Sequence, residues 1–132
     1  MDKKEHIMAV LEKMGYAPEK DNDGDIMFRY QMKAIYLMTE NDDTPYVAMM
    51  IPQYSKIEEG KETQVLAVCN KINRDFRLVK VYVDGTLENV TASCEFYYTN
   101  DEALEQNIEK SIEILGVMRR IYRKFMSELS ED

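Results

Sequence analysis

An acidic segment near the N-terminus, EKDNDGDI at residues 19–26, has the residue types of a calcium-binding loop. Calcium prefers oxygen ligands, and an EF-hand loop supplies them from alternate positions around a glycine, with a bidentate glutamate at the end. When Gly24 is placed at the glycine position, Asp21 and Asp23 fall at ligand positions, but Tyr30 stands where the bidentate glutamate should be. The sequence after the loop alternates like a strand, whereas an EF-hand continues into a helix. We therefore predict a turn in which Gly24 takes a positive φ, and no metal site.

Other side chains capable of chemistry are few and scattered. His6 is the only histidine and lies in a charged stretch, so we place it on the surface, where no triad or zinc site is easily built. Cys69 and Cys94 lack Cys-x-x-Cys spacing and fall on apolar positions, which predicts two buried free thiols rather than a zinc site or a disulfide. The sequence contains no GxSxG, GxxxxGK[ST] or GxGxxG motif. We predict a protein without catalytic residues, metal or cofactor.

Composition limits the classes of partner. The 132 residues suit a single domain spanning residues 1–132, and the net charge of −8 argues against binding nucleic acid or anionic lipid. The N-terminal sequence MDKKEHIMAVLEKMGY lacks the apolar block of a signal peptide. No run approaches the ~18 apolar residues of a membrane span. We expect a cytoplasmic protein that binds neither nucleic acid nor membrane.

Periodicity divides the chain into a helix, three strands, a second helix, two strands and a long third helix. The first helix begins at Asp2 and ends at Gly15. The three strands that follow are predicted at residues 26–30, 34–38 and 45–51, with a turn at 40–43 and Pro52 closing the third strand. Neighbouring strands joined by short links pair antiparallel. The sequence therefore predicts an α+β fold, an antiparallel sheet packed by helices.

Local signals predict where the helices begin. A capping box joins a serine, threonine or aspartate to a glutamate three residues later, and we identify three, at Asp2–Glu5, Ser55–Glu58 and Thr99–Glu102. Gly60 weakens the first turn of the second helix and favours a start after it. Asp84-Gly85 predicts a hairpin that joins the last two strands, at residues 78–83 and 90–98.

The third helix has acids at its start and a basic cluster, Arg119, Arg120, Arg123 and Lys124, toward its end. This order complements the helix dipole, which favours negative charge at the N-terminus and positive charge at the C-terminus. We interpret the basic cluster in this way. A phosphate site or an acidic-partner site is the alternative.

The segment VCNKINRDFRLVKVYVDG followed by TASCEF, at residues 68–85 and 91–96, resembles the YbjN-type family, described as sensory transduction regulators, which shares the fold of class I type III secretion chaperones. In that family a helix ends in an Asn-x-x-Asn pair and the next strand carries a lysine and a tyrosine, here Asn70, Asn73, Lys80 and Tyr82. The resemblance implies a small non-enzymatic domain, often dimeric, that acts through protein contacts. We interpret the four residues as structural, with the amides bonding the helix end or the next strand. The alternative is that the amides hold a ligand or partner backbone.

Two predicted strands, YVAMMI and AIYLM, are apolar on both faces. An antiparallel sheet with helices on one side usually has a polar far face, so the far face here needs a cover. The middle helix, a second copy of the chain or a different protein would each supply one. Methionines suit an adaptable contact surface and fill core gaps equally well. The candidate contact residues are Tyr36, Met38, Tyr46, Met49 and Met50.

Two hypotheses for function follow. The first is a non-enzymatic protein-contact module, chaperone-like or an adaptor, that forms a homodimer and binds a protein partner. The second is an enzyme, or a sensor of a small ligand or metal, whose pocket is assembled in space from residues distant in sequence. We favour the first, because the sequence shows two-sided apolar strands and no convergent reactive groups.

Overall fold

The computed structural model describes residues 2–39 and 43–130, and within these residues three helices pack on a six-stranded antiparallel sheet. The elements follow in the order α1 (Lys3–Lys13), β1 (Glu19–Lys20), β2 (Ile26–Tyr30), β3 (Lys33–Met38), β4 (Tyr46–Lys56), α2 (Glu62–Asp75), β5 (Val79–Val83), β6 (Asn89–Tyr97) and α3 (Asp101–Ser130). The strand order across the sheet is β1-β2-β3-β4-β6-β5. The predicted α+β class and order of elements are confirmed, with β1 as an added short strand. The turn predicted at residues 40–43 lies outside the described residues except for Asp43.

All three helices bury their apolar stripes in one core. Residues such as Ile7 of α1, Ile72 of α2 and Ile108 of α3 pack in a single cluster with every second residue of the strands. The strand residues in this cluster are Ile26, Phe28, Ile35, Leu37, Val47, Met49, Val79, Val81, Val90, Ala92, Cys94 and Phe96. The helices therefore cover one face of the sheet, because successive strand residues point to opposite faces.

The acidic segment forms the loop of the β1–β2 hairpin. The Asp21 carboxylate accepts hydrogen bonds from the backbone N–H groups of Asp23 and Asp25, each at 2.9 Å. Gly24 has φ of +82°, in the left-handed region that glycine enters without steric cost. The predicted turn is confirmed.

Only one of the three predicted N-cap residues caps its helix as expected. The Asp2 carboxylate accepts the Glu5 N–H at 2.8 Å and caps α1. The prediction for Thr99 is wrong by one residue, because Asn100 Oδ1 accepts the Ala103 N–H at 2.8 Å. The prediction for Ser55 is wrong altogether, because Ser55 pairs with Val90 as part of β4 and so lies in a strand. The second helix begins at Glu62, after Gly60, which confirms the start predicted from that glycine.

Strand β4 continues past Pro52, where the sequence predicted its end. Its pairing with β6 jumps from Ile51↔Ala92 to Ser55↔Val90, so β4 advances four residues while β6 advances two. This is a bulge, which is where a central strand tolerates a proline that has no N–H to donate. On its other side, β4 pairs with β3 only from Tyr36↔Met50 to Met38↔Ala48. The two strands part beyond this point.

The free edge of β5 is closed by a side chain from α2. Asn73 Nδ2 donates to the Val81 carbonyl at 3.0 Å, and Asn73 Oδ1 accepts the Val81 N–H at 2.8 Å. The amide thus occupies the positions that a neighbouring strand would otherwise fill. Asn70, one turn earlier on the helix, is exposed.

Helix α3 is longer than its basic cluster suggested. It ends at Ser130, its last turn carries no basic residue, and Arg119, Arg120 and Arg123 all lie more than one turn before that end. A helix dipole acts within the last turn. The interpretation that the dipole explains these arginines is therefore wrong.

We expect Asn73→Ala to lower the free energy of unfolding by about 1–2 kcal/mol, because it removes both hydrogen bonds to the edge strand. Urea denaturation followed by circular dichroism measures this change. Asn70→Ala is the matched control, and as an exposed substitution it should stay within about 0.5 kcal/mol of wild type. Equal destabilisation by the two variants would contradict the role given to Asn73.

Both cysteines are free and buried, as predicted. Burial raises the pKa of the Cys69 thiol to about 11 and that of the Cys94 thiol to about 12. We expect neither to react with a disulfide reagent in the folded protein at about pH 8, because the thiolate is the reactive form. Both should react once the chain is unfolded in guanidinium. Rapid labelling of the folded protein would show that the thiols are accessible.

Candidate functional site: the outer face of the sheet

The face of the sheet turned away from the helices is open in the described part of the chain. Its residues alternate with the core residues, and cross-strand register joins them into rows. One row crosses five strands as Met27, Tyr36, Met50, Ser93 and Lys80. We call this surface the outer face; its large side chains are Met27, Tyr36, Met38, Tyr46, Met50, Tyr82 and Tyr97. No described helix contributes its buried stripe to this side.

Aromatic and methionine side chains dominate the outer face. The rings of Tyr46 and Tyr97, on paired strands, lie with centroids 5.4 Å apart at an angle of 56°. Tyr97 is 69% exposed and Met38 is 38% exposed. Apolar side chains of this size are usually withdrawn from water. The outer face is therefore a surface suited to cover by another chain.

The structure separates the five candidate contact residues. Tyr36, Met38, Tyr46 and Met50 lie together on the outer face. Met49 lies on the helix-covered face, is 0% exposed and packs in the core. Neighbouring residues of a strand point to opposite faces, so Met49 and Met50 cannot share one surface. Met49 fills the core, which is the other use of methionine that the sequence left open.

The family residues Lys80 and Tyr82 also belong to the outer face, at its β5 side. Lys80 Nζ lies 2.8 Å from the Glu95 carboxylate and 5.2 Å from the centre of the Tyr82 ring. The hydrogen bond from Lys80 lowers the pKa of Glu95 below its usual value, and the same bond raises the pKa of Lys80. This ion pair makes the β5 side of the outer face polar. The side formed by β2, β3 and β4 carries mostly apolar and aromatic side chains, together with the exposed Arg29.

Sequence reasoning missed part of this surface. Met27 and Tyr97 were not among the five candidate contact residues, although both alternate with core residues in their strands. Two outer-face residues of β6 are buried, Thr91 at 4% and Ser93 at 0% exposure. These small side chains lie in the middle of the sheet between larger neighbours. The Ser93 hydroxyl has no hydrogen-bond partner among the described residues.

The acidic loop brings three carboxylates together, and the loop backbone engages one of them. Oxygens of Asp21, Asp23 and Asp25 lie within 4.8 Å of one another. The Asp21 carboxylate already accepts two backbone N–H groups, and Lys4 Nζ donates to the Gly24 carbonyl at 2.7 Å. Partial burial, and then repulsion from Asp21, raise the pKa of Asp25, while Lys4 opposes the shift. The loop acts as a capped hairpin turn.

His6 lies at the surface on α1, where its Nε2 is 2.7 Å from the carboxylate of Asp101 at the start of α3. The contact ties two neighbouring helices together. His6 belongs to the helix layer and is not one of the residues of the outer face.

Comparison with known proteins shows the family to which this chain belongs. Residues 2–128 match the family TY-Chap1, described as T3SS (YopN, CesT) and YbjN peptide-binding chaperone 1, and the chain belongs to that family. This confirms the resemblance identified from the sequence and supports the predicted class of protein-contact module.

Two solved structures share the fold. YbjN from E. coli is 13% identical with a TM-score of 0.65, and the match covers 88% of this chain and 91% of that one. A protein described as uncharacterized from Methanothermobacter thermautotrophicus is 14% identical with a TM-score of 0.52, covering 92% of this chain and 98% of that one. No curated protein matches the sequence. None of the described helices is both long enough and apolar enough to cross a bilayer.

We expect Asp25→Asn to raise the melting temperature at pH 7. A raised pKa means that the charged form of Asp25 costs stability above that pKa, and the amide removes this cost. The gain should be roughly 1–3 °C, since partly exposed charges interact by only a few tenths of a kcal/mol. It should vanish near about pH 3, where the carboxyl is protonated anyway.

The control for this measurement is Glu19→Gln, which removes one negative charge from the same hairpin outside the carboxylate cluster. A thermal melt followed by circular dichroism at several pH values gives the comparison. The same gain from both variants would show that net charge, rather than repulsion within the loop, is responsible.

Proposed function

We propose that this protein is a non-enzymatic chaperone-like or adaptor module that binds a peptide segment of a partner protein on its outer face. The observation that carries the proposal is the open surface of tyrosine and methionine side chains on the side of the sheet without helices. Membership of a family described as peptide-binding chaperones supports it. We place the protein in the cytoplasm, in line with its sequence.

The chemistry of the outer face favours a peptide over a small molecule. Tyr36, Tyr46 and Tyr97 each combine a wide apolar ring with a hydroxyl, and tyrosine and methionine are enriched in protein interfaces. Methionine side chains adapt their shape to different partners. Burial of apolar surface contributes about 25 cal/mol per Å². A segment laid across several of these side chains therefore gains binding free energy without needing a deep pocket.

The edges of the sheet are poorly suited to accept an added strand, which directs a partner to the face. At one edge, Asn73 occupies both backbone groups of Val81. At the other edge, β1 consists of two charged, exposed residues, Glu19 and Lys20. Short and charged edge strands are the usual means by which proteins prevent edge pairing. The outer face offers the larger surface.

A second copy of the chain is the other partner that we propose for the module, as the sequence resemblance implies a homodimer. The outer face and the helix layer are both available for it. Leu66, 59% exposed on α2, is an apolar side chain of the helix layer that a dimer would cover. Substitutions at the two places distinguish the surfaces.

The test compares Met50→Glu on the outer face with Leu66→Glu on α2. Phage-displayed 12-residue peptides selected on the wild type should be rich in apolar residues. Met50→Glu should weaken their binding about tenfold or more, because a charge in a desolvated contact costs at least ~1.4 kcal/mol. Leu66→Glu should leave binding within about twofold. Fluorescence anisotropy of labelled peptides measures both variants, and circular dichroism checks their folding.

Light scattering on the same variants measures whether the chain forms a dimer and which surface the dimer uses. A dimer lost in Leu66→Glu but kept in Met50→Glu uses the helix layer and leaves the outer face free for a peptide. A dimer lost in Met50→Glu alone, with no selected peptide, would mean that a second copy occupies the outer face and that the peptide proposal is wrong.

A further inference from the structure

A group of basic side chains gathers at one end of the sheet in a chain whose net charge is −8. On α3, Arg123 lies four residues after Arg119 and three after Arg120, so its side chain neighbours both. Like charges at this spacing destabilise a helix slightly. No acidic side chain among the described residues forms an ion pair with any of the three. Neither the helix dipole nor an internal partner therefore accounts for them.

A fourth cation is held against α3 by the β2–β3 hairpin. Lys33 Nζ donates to the Gly116 carbonyl of α3 at 2.9 Å. Gly116 permits the approach, because a Cβ there would lie 3.2 Å from the ring of Tyr30. The hairpin turn places Met32 at its tip, where the side chain is 96% exposed.

A cavity of about 380 Å³ opens beside these cations, where β3 and β4 part at the bulge. Its lining combines the apolar or aromatic side chains of Tyr36, Ile51, Pro52 and Leu115 with two cations, Lys33 and Arg119. A second recess of about 560 Å³ shares Lys33 and Arg119 and continues along Arg120 and Arg123. No aspartate or glutamate is among the described residues that line either one. We call the two recesses together the basic groove.

The basic groove is continuous with the outer face. Tyr36 contributes to both, because it belongs to the row that crosses the sheet and also lines the cavity at the bulge. A peptide that lies across Met50 and Tyr36 therefore reaches the arginines as it leaves the sheet. The groove extends the surface to which we have assigned peptide binding.

We propose that the basic groove selects the partner, by binding acidic residues that flank the apolar segment held on the outer face. This rests on the proposed function and adds the chemistry of the ligand to it. Guanidinium groups match carboxylates with two parallel hydrogen bonds, and they are the common choice where carboxylates are recognised. The apolar side chains Met32 and Pro52 beside the cations suit a peptide better than a bare phosphate.

The net charge of the whole chain favours an acidic peptide over nucleic acid as the ligand of the basic groove. A polyanion of many phosphates needs a broad basic face and is repelled at long range by a chain of net charge −8. A short acidic segment needs only the local field of four cations. Its attraction is screened at high salt, which is a measurable property.

The experiment uses two labelled peptides with the same apolar core, one with three glutamates at one end and the other with three glutamines. The full chain should bind the glutamate peptide about tenfold more tightly at low salt, and the difference should shrink as salt rises. Arg119→Glu combined with Arg123→Glu should abolish the preference while leaving the glutamine peptide within about twofold of its wild-type affinity. Arg77→Glu, an exposed charge reversal outside the groove, should keep the preference.

The outcomes separate this inference from the proposed function. If both peptides bind equally, the basic groove does not select acidic partners, although peptide binding on the outer face stands. If neither peptide binds, both proposals are wrong. A labelled single-stranded oligonucleotide that binds through the same arginines more tightly than the glutamate peptide would overturn the acidic-peptide assignment. So would self-association of the chain that is lost with the arginine pair.

Discussion

The pleat of the sheet commits every strand side chain to one of two faces, and the helices cover only one of them. This constraint decides what the molecule can do. Along β4, Val47 and Met49 enter the core with α1, α2 and α3, while Tyr46 and Met50 must point the other way. A register slip of one residue would exchange the two sets, so the buried core also fixes which side chains remain outside.

An open apolar face needs protection from indiscriminate contact, and three features of the sheet supply it. The Lys80–Glu95 ion pair keeps the β5 side of the outer face polar. The Asn73 side chain closes the β5 edge, and the charged strand β1 blunts the other. What remains is the surface on β2, β3 and β4, where apolar side chains lie beside the exposed Arg29 and the methionines can adapt to a partner.

Local signals in the sequence predicted the fold well wherever local chemistry decides it. Asp2 caps α1 and Gly24 turns the acidic loop because each needs only its near neighbours. Pro52 and Ser55 were misread because a bulge in a central strand depends on the pairing with β6, which no short window contains. The arginines of α3 were misread because the helix continues beyond them.

The candidate site, too, was predicted where local sequence decides it and not where tertiary packing does. The segment YVAMMI is apolar on both faces, and this revealed more apolar surface than one core can bury. Four of the five candidate residues lie on the outer face. It could not tell Met49 from Met50, since both faces were apolar and only the position of the helices distinguishes them. The sequence left an acidic-partner site open for the arginines of α3, but it could not show the groove, because Lys33 and Arg119 are distant in sequence and line one cavity only in the folded chain. Such a meeting is a property of tertiary packing.

The bulge at Pro52 connects these observations physically. Because β4 bends away there, β3 loses its partner strand, and the space between them becomes a cavity that Leu115 of α3 also lines. Without the bulge, the pairing of β3 with β4 would continue beyond Tyr36↔Met50, and Tyr36 would lie within an unbroken sheet. With it, the outer face opens onto the part of α3 where positive charge has no internal partner among the described residues. A single irregularity in the central strand thus joins an apolar surface to a groove lined by positive charge.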